Sequence, residues 1–113
     1  MAEQNNPVPD AFAGGTLSNT TQTVIYTTPL NMRIKFDTII LVNTDVAART
    51  FNLWLKRFGA STYQRIAPKD YSLAAAAMYE SGPFSLSGGD VLAGDASAAS
   101  VVDFTLNGMR YST

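Results

Sequence analysis

The 113-residue sequence contains no cysteine and no histidine. Without cysteine it has no disulfide and no thiolate nucleophile, and without histidine it lacks the commonest general base and metal ligand. Catalytic triads built on serine and histidine or on cysteine and histidine are therefore excluded. These absences predict a protein that is not an enzyme, with no catalytic residue, no cofactor and no bound metal.

Charged residues are also scarce. They make up 15% of the chain, against about 25% in an ordinary soluble domain, while hydrophobic residues reach 46%. No apolar run approaches the roughly 20 residues that span a bilayer, and the N-terminus lacks a basic-then-apolar export signal. We therefore expect a cytosolic product with no membrane partner and with part of its surface covered by another protein.

The charges that are present divide unevenly along the chain. Residues 1–32 carry two acids and no base, for a net charge of −2. Residues 33–69 carry seven bases and two acids (+5), and residues 70–113 carry one base and five acids (−4). Two interpretations are open. The basic and acidic segments form complementary surfaces on neighbouring subunits, or charges of opposite sign become mixed over the surface once the chain folds.

Alternation of apolar and polar residues predicts the fold. Three stretches place every second residue on an apolar face, with turn residues between successive strands. These apolar positions are Met32, Ile34 and Phe36, then Phe51, Leu53 and Leu55, then Val102, Phe104 and Leu106. Strands recurring about every ten residues indicate an all-β, antiparallel, jelly-roll-like β-sandwich, with residues 16–113 as its single domain.

Three segments depart from simple alternation. Residues 1–15 contain Pro7, Pro9, Gly14 and Gly15, and this composition predicts an extended N-terminal arm that is long enough to lie on a neighbouring subunit. Residues 39–42 are apolar at every position, which predicts cover on both faces of that strand. Four alanines at residues 74–77 permit a helical turn, but their surroundings favour a loop or an irregular edge strand.

Two chemical alternatives deserve weighing. Asp90, Asp95 and Asp103 fall on neighbouring predicted strands, so a carboxylate pair is one alternative; against it, Asp90 follows two glycines as a turn residue and Asp103 points outward. Aromatic and basic residues alternate near Trp54 and Arg57, a pattern that also occurs in nucleic-acid-binding proteins. The acidic net charge of the chain argues against that partner, so we predict no nucleic-acid binding.

Four stretches resemble small β-sandwich proteins of phage virions. Residues 24–29 (VIYTTP) and 37–44 (DTIILVNT) are similar to a strand and a strand-and-turn of these proteins. Residues 84–97 (FSLSGGDVLAGDAS) and 101–108 (VVDFTLNG) resemble their late glycine–aspartate block and last strand, in the same order. Arg110 departs from the acidic residue common after the terminal glycine, and the alanines at 74–77 are also unusual.

The resemblance implies a capsid decoration, or cement, protein. Such proteins sit on the capsid exterior as homotrimers or dimers and bridge subunits of the major capsid protein. The alternative is a receptor- or glycan-binding head of a fibre or tail component, which would use Trp54, Tyr63 or Tyr79 as an aromatic platform. Residue type and predicted exposure give these interface candidates: Phe12, Trp54, Arg57, Tyr63, Tyr79, Arg110 and Tyr111.

Overall fold

The computed structural model describes the backbone of residues 8–112 and the side chains of residues 14–111. This part of the chain contains strands and turns and no helix, and therefore no helix with the length and apolarity to cross a membrane. The strands are β1 (Val8–Thr16), β2 (Thr23–Thr27), β3 (Met32–Asn43), β4 (Arg49–Lys56), β5 (Gln64–Arg65), β6 (Tyr71–Leu73), β7 (Met78–Ser81), β8 (Phe84–Ser87), β9 (Val91–Ala96) and β10 (Val102–Ser112).

The strands form two antiparallel sheets with the topology of a jelly roll. The first sheet has the order β1-β10-β3, with β7 and β8 sharing the far side of β3. The second has the order β2-β9-β4, with β5 and β6 sharing the far side of β4. The last two strands thus lie between pairs from the first half of the chain. The predicted all-β, jelly-roll-like sandwich is confirmed.

The core lies between the sheets and uses the alternating residues that the sequence indicated. Phe51 and Leu53 of β4, and Ile34 and Phe36 of β3, are fully buried. The alternation in β3 is broken once, because Gly108 of β10 lies opposite Phe36 while Asn107 lies opposite Thr38. This bulge brings Ile39 and Leu41 to the same inner face as Phe36.

Residues 8–15 do not form the predicted arm. They belong to β1, which pairs with β10 from Val8–Arg110 to Thr16–Asp103. Pro9, whose missing N–H suggested an arm, is compatible with this strand because β1 is an edge strand with one neighbour. Residues 1–7 lie outside the described residues.

The alanine-rich segment forms a turn between two short strands. β6 ends at Leu73, residues 74–77 turn the chain, and β7 begins at Met78. Ala77 N–H donates to the Ala74 carbonyl at 3.0 Å, and Ala76 takes a φ of 61°. The expectation of a loop or irregular edge strand, rather than a helix, is therefore correct for this segment.

The loops gather at the two ends of the sandwich. At the first, called end I, Leu17 N–H donates to the Val102 carbonyl and Thr44 N–H to the Val101 carbonyl, both at 2.8 Å. At the opposite end, end II, Thr28 N–H donates to the Asp90 carbonyl at 2.9 Å. End I comprises loops 17–22, 44–48, 74–77 and 97–101, and end II comprises loops 28–31, 57–63 and 88–90.

Gly108 provides a test of the register between β3 and β10. A Cβ added there would lie 2.2 Å from the Lys35 carbonyl oxygen and 2.7 Å from the Phe36 Cα, both backbone atoms. Gly108→Ala should lower the free energy of unfolding by about 1–3 kcal/mol, because the two strands must separate locally. Urea unfolding measures this change.

Gly14→Ala is the matched control, because its added Cβ would be 3.6 Å from the nearest atom, an ordinary contact. The proposed register would be contradicted if both alanine variants unfolded at the same urea concentration.

Candidate functional site

An apolar patch lies on the outer face of the first sheet. Val42 of β3 pairs with Met78 of β7, and Ile40 lies two residues along the same strand, so the three side chains share one face. Ile40 and Val42 are half-buried, and Met78 is 60% exposed. Residues 39–42 were predicted to be covered on both faces. The core covers their inner face, whereas their outer face is partly open to solvent. We call these three residues the outer apolar patch.

A buried carboxylate organises end II. Asp90 is 2% exposed and accepts hydrogen bonds from Ser87 N–H at 2.8 Å, Phe58 N–H at 2.8 Å and Arg57 Nη1 at 2.7 Å. One side chain thus joins the loop after β4 to the turn before β9. The prediction that Asp90 is a turn residue is correct, and its carboxylate is used to hold that turn.

The protonation of Asp90 follows from these contacts. Burial alone would raise the pKa of its carboxyl, but the hydrogen bonds from Ser87, Arg57 and Phe58 outweigh burial and hold the pKa below the ordinary value of 3.8. Asp90 is therefore ionised at neutral pH.

Two large apolar side chains project from end II. Leu30 is 72% exposed and Phe58 is 69% exposed. The Leu30 backbone lies against Gly88, where an added Cβ would come within 2.2 Å of the Leu30 carbonyl oxygen, and the Phe58 ring lies against Gly89, where an added Cβ would come within 2.2 Å of the ring. Both loops are therefore closely packed on the β8–β9 turn, while most of the surface of each apolar side chain stays exposed to solvent.

A buried amide organises end I in the same manner. Asn43 is fully buried, and its Nδ2 donates to the carbonyls of Ala47 at 2.9 Å and Leu73 at 3.0 Å. Its Oδ1 accepts from Asp45 N–H at 2.9 Å. The 44–48 loop is thereby fixed with Val46 at its tip, and Val46 is 95% exposed.

An open polar pocket of about 340 Å³ lies on the outer face of the second sheet, towards end I. Asn52 is its centre: its Nδ2 donates to Asp70 and Asp95, each at 3.0 Å, and its Oδ1 accepts from Arg65 at 2.6 Å. The lining residues are Asn19, Thr21, Thr50, Asn52, Asp70, Asp95, Ala96 and Ser97. Carboxylates, amide and hydroxyl groups therefore surround one depression.

This pocket was not predicted from the sequence. Asn52 alternates with the inward residues Phe51 and Leu53 and so lies on the outward face of β4, where the polar groups around it bury it. The signal in the sequence that could have revealed this pocket is a polar amide among the apolar residues of β4, because such a group needs hydrogen-bond partners when it is buried. Those partners come from loops far away in sequence.

Trp54 is not the exposed interface residue that we predicted. It faces outward from the second sheet but is only 5% exposed. β5 pairs alongside β4 there, and the Arg65 guanidinium lies 4.9 Å from the centre of the Trp54 ring. The alternation predicted the correct face of β4, and the short strand β5 then covered it.

Tyr79 is also part of the structure rather than a free platform. Its ring lies 4.9 Å from that of Phe51 and 5.1 Å from that of Tyr71, measured between centres. Tyr79 is half-buried and packs against the core. It therefore closes one side of the sandwich.

The remaining interface candidates are dispersed. Arg57 is bound to Asp90 at end II, and Tyr63 is half-buried beside Lys56, whose Nζ is 5.3 Å from the ring centre. Tyr111 stacks under Arg33 on the outer face of the first sheet. Arg110 is half-buried opposite Ile34, and Phe12 occupies the bulge of β1 between Ala11 and Ala13, where its side chain is outside the described residues.

The three aspartates considered for a carboxylate pair are not brought together. Asp90 lies at end II, Asp95 lines the polar pocket, and Asp103 is exposed on the first sheet. Within residues 14–111, no group of three or more acidic, histidine or cysteine side chains is arranged to hold a metal ion.

No protein-family profile matches this chain. No curated protein matches it by sequence.

The fold of this chain is similar to that of a subunit from the disulfide-linked pili of Bacillus endospore appendages, with a TM-score of 0.56 and 17% identity over 99% of this chain and 94% of that one. A protein of the infectious bursal disease virus particle matches 96% of this chain and 31% of its own length, with a TM-score of 0.55 and 7% identity. A capsid protein of a Helicobacter pylori bacteriophage matches with a TM-score of 0.46 and 11% identity, covering 94% of this chain and 93% of that one.

Asp90→Asn tests the role of the buried carboxylate. The substitution keeps the shape but weakens three hydrogen bonds that charge strengthens, so the free energy of unfolding at pH 7 should fall by about 1–3 kcal/mol. The folded-state pKa is lower than the unfolded one, about 3.9, so this stability is complete above that pH and is lost as the pH falls through the folded-state value.

Urea unfolding between pH 7 and pH 2 measures both effects. The wild-type curve should lose more stability on acidification than the Asp90→Asn curve. Asp103→Asn, at an exposed position, is the control and should unfold like the wild type. Equal stability of the Asp90→Asn variant and the wild type at pH 7 would contradict the assigned role.

Proposed function

We propose that this protein is a non-enzymatic structural component of a phage virion, and that it acts as a decoration protein bridging capsid subunits. Its partner is the major capsid protein, and its place is the capsid exterior after synthesis in the host cytoplasm. It acts there as a homotrimer, with a dimer as the alternative assembly. Bridging adds contact area that must be broken before the shell ruptures.

The outer apolar patch is the observation that carries this proposal. Sheets that face water on one side normally alternate apolar and polar residues. Here Ile40, Val42 and Met78 lie side by side on the solvent side of the first sheet, with Glu80 opposite Ile40 and Asp103 opposite Val42 at their margin. A partner that covers this patch would remove apolar area from water, which favours association.

The fold supports the same function. A jelly roll that occupies nearly the whole chain is a rigid block, and the pilus subunit of similar fold also matches over nearly its whole length. A similar fold makes up 31% of the matched protein of the infectious bursal disease virus particle. Both are parts of protein assemblies, and we extend that kind of role to this chain.

The polar pocket supports a second candidate function, glycan binding by a fibre or tail head. Sugar hydroxyls pair well with carboxylate, amide and hydroxyl groups of the kind that surround Asn52. Trp54, Tyr63 and Tyr79 do not form the aromatic platform first considered for this function, because Trp54 is covered and Tyr79 is half-buried against the core. This candidate therefore depends on the pocket alone.

Met78→Lys tests the decoration function. The exposed Met78 side chain can be replaced without disturbing the core, but docking would then have to remove a lysine charge from water at the centre of the patch. Binding to empty expanded shells of the phage that carries this gene should weaken at least about tenfold. Cosedimentation of purified protein with these shells measures the bound fraction.

Val24→Lys is the matched control, because Val24 is also exposed but lies on the second sheet, away from the patch. It should bind shells like the wild type. If wild-type protein fails to sediment with shells while it retains an immobilised glycan, the second candidate replaces the first. Asp95→Asn should then weaken glycan retention.

A further inference from the structure

The fold sorts the charges of this chain to opposite ends of the sandwich. Among the described side chains, the half nearest end II carries five bases and one acid, a net charge of +4. Among the same side chains, the half nearest end I carries three bases and five acids, a net charge of −2, because Arg65 is bonded to the Asn52 side chain that also binds Asp70 and Asp95. Asp37 lies between the two halves, at the bulge of β3. The charges therefore do not mix on folding, which was one of the two possibilities left open by the sequence.

The positive charge of this half comes from basic residues at strand ends that meet at end II. Arg33 and Lys35 begin β3, Lys56 and Arg57 follow at the end of β4, and Arg110 lies near the end of β10. Among the side chains that the structure describes (residues 14–111), the acid of this half is Asp90, which is buried and already bonded to Arg57. The solvent-facing charge at end II is consequently positive.

The acidic half mirrors this arrangement at end I. Arg49 is bonded to Asp45, with Nε and Oδ2 2.7 Å apart, and Lys69 is adjacent to Asp70 in the chain. Glu80 and Asp103 are exposed on the first sheet, and Asp95 lines the polar pocket on the second. Both sheets therefore present negative charge towards the same end.

Each end also carries exposed apolar side chains. Leu30 and Phe58 project at end II, and Val46 projects at end I on a loop fixed by Asn43. An interface usually combines an apolar centre with complementary charges around it. End II of one molecule and end I of another supply such a combination.

We propose that copies of this chain associate head to tail, with end II of one molecule against end I of the next. The contact is heterologous, so its repetition gives an open filament or a closed ring. The partner at each end is a second copy of this chain, because one chain carries both complementary surfaces. This inference goes beyond the proposed virion function and needs no capsid, so failure of shell binding and failure of self-association are separate results.

Ionic strength provides the first test. Light scattering after size exclusion should give a mass above that of the 12.1 kDa monomer at about 10 mM salt. The mass should fall towards the monomer at about 1 M salt, where the Debye length is about 3 Å. A wild-type protein that stays monomeric at low salt and high protein concentration overturns the proposal.

Charge reversal distinguishes this contact from a symmetric one. Glu80→Lys with Asp103→Lys reverses the charge of end I, and Lys35→Glu with Lys56→Glu neutralises end II. Each double variant should be monomeric alone at low salt. Mixed in equal amounts they should form a one-to-one dimer, because one retains a native end II and the other a native end I. A mixture that remains monomeric overturns the head-to-tail contact.

A further variant keeps the test valid if charge reversal impairs folding. Val46→Ser changes a side chain that is 95% exposed, so the melting temperature should be unchanged. Its self-association should weaken about tenfold, since an apolar contact at end I is lost. Val24→Ser is the matched control and should associate like the wild type. Equal association of Val46→Ser and the control would contradict the proposed contact.

Discussion

The pairing of β10 with β3 over eleven residues is the interaction on which the rest of the sandwich depends. β10 also holds the edge strand β1, and its partner β3 carries β7 and β8 on its other side. Because β3 and β10 come from opposite halves of the chain, the first sheet closes only when the last strand has been made. The outer apolar patch and the separation of charge between end I and end II both exist only after this closure.

The inner face of the sandwich could be predicted from the sequence, and the physical reason is simple. A strand with one buried face must alternate, so Phe51 and Leu53, like Ile34 and Phe36, reveal their orientation by spacing alone. Turn residues between these stretches then indicated an antiparallel sandwich. The bulge at Asp37 was missed, because it depends on how Gly108 of a distant strand approaches β3.

The surfaces were harder to predict because neighbours remote in sequence form them. The outward position of Trp54 was correct, yet Arg65 from β5 covers the ring. Residues 8–15 had the composition of an arm, yet β10 offered them an unpaired edge. The uneven charge along the chain was visible from the start, but only the topology places Arg33 and Lys56 at one end and Glu80 and Asp103 at the other.

The edge strand β1 has a consequence for how such a molecule behaves at high concentration. An exposed sheet edge is a template for another strand, and extended edge-to-edge pairing leads to aggregation. Pro9 offers no N–H to an incoming strand, and the bulge at Phe12 interrupts the regular spacing of the remaining donors and acceptors. Sideways growth of the first sheet is thereby obstructed along β1. A protein crowded onto a surface can then stay a discrete particle and keep its specific contacts for its loops and faces.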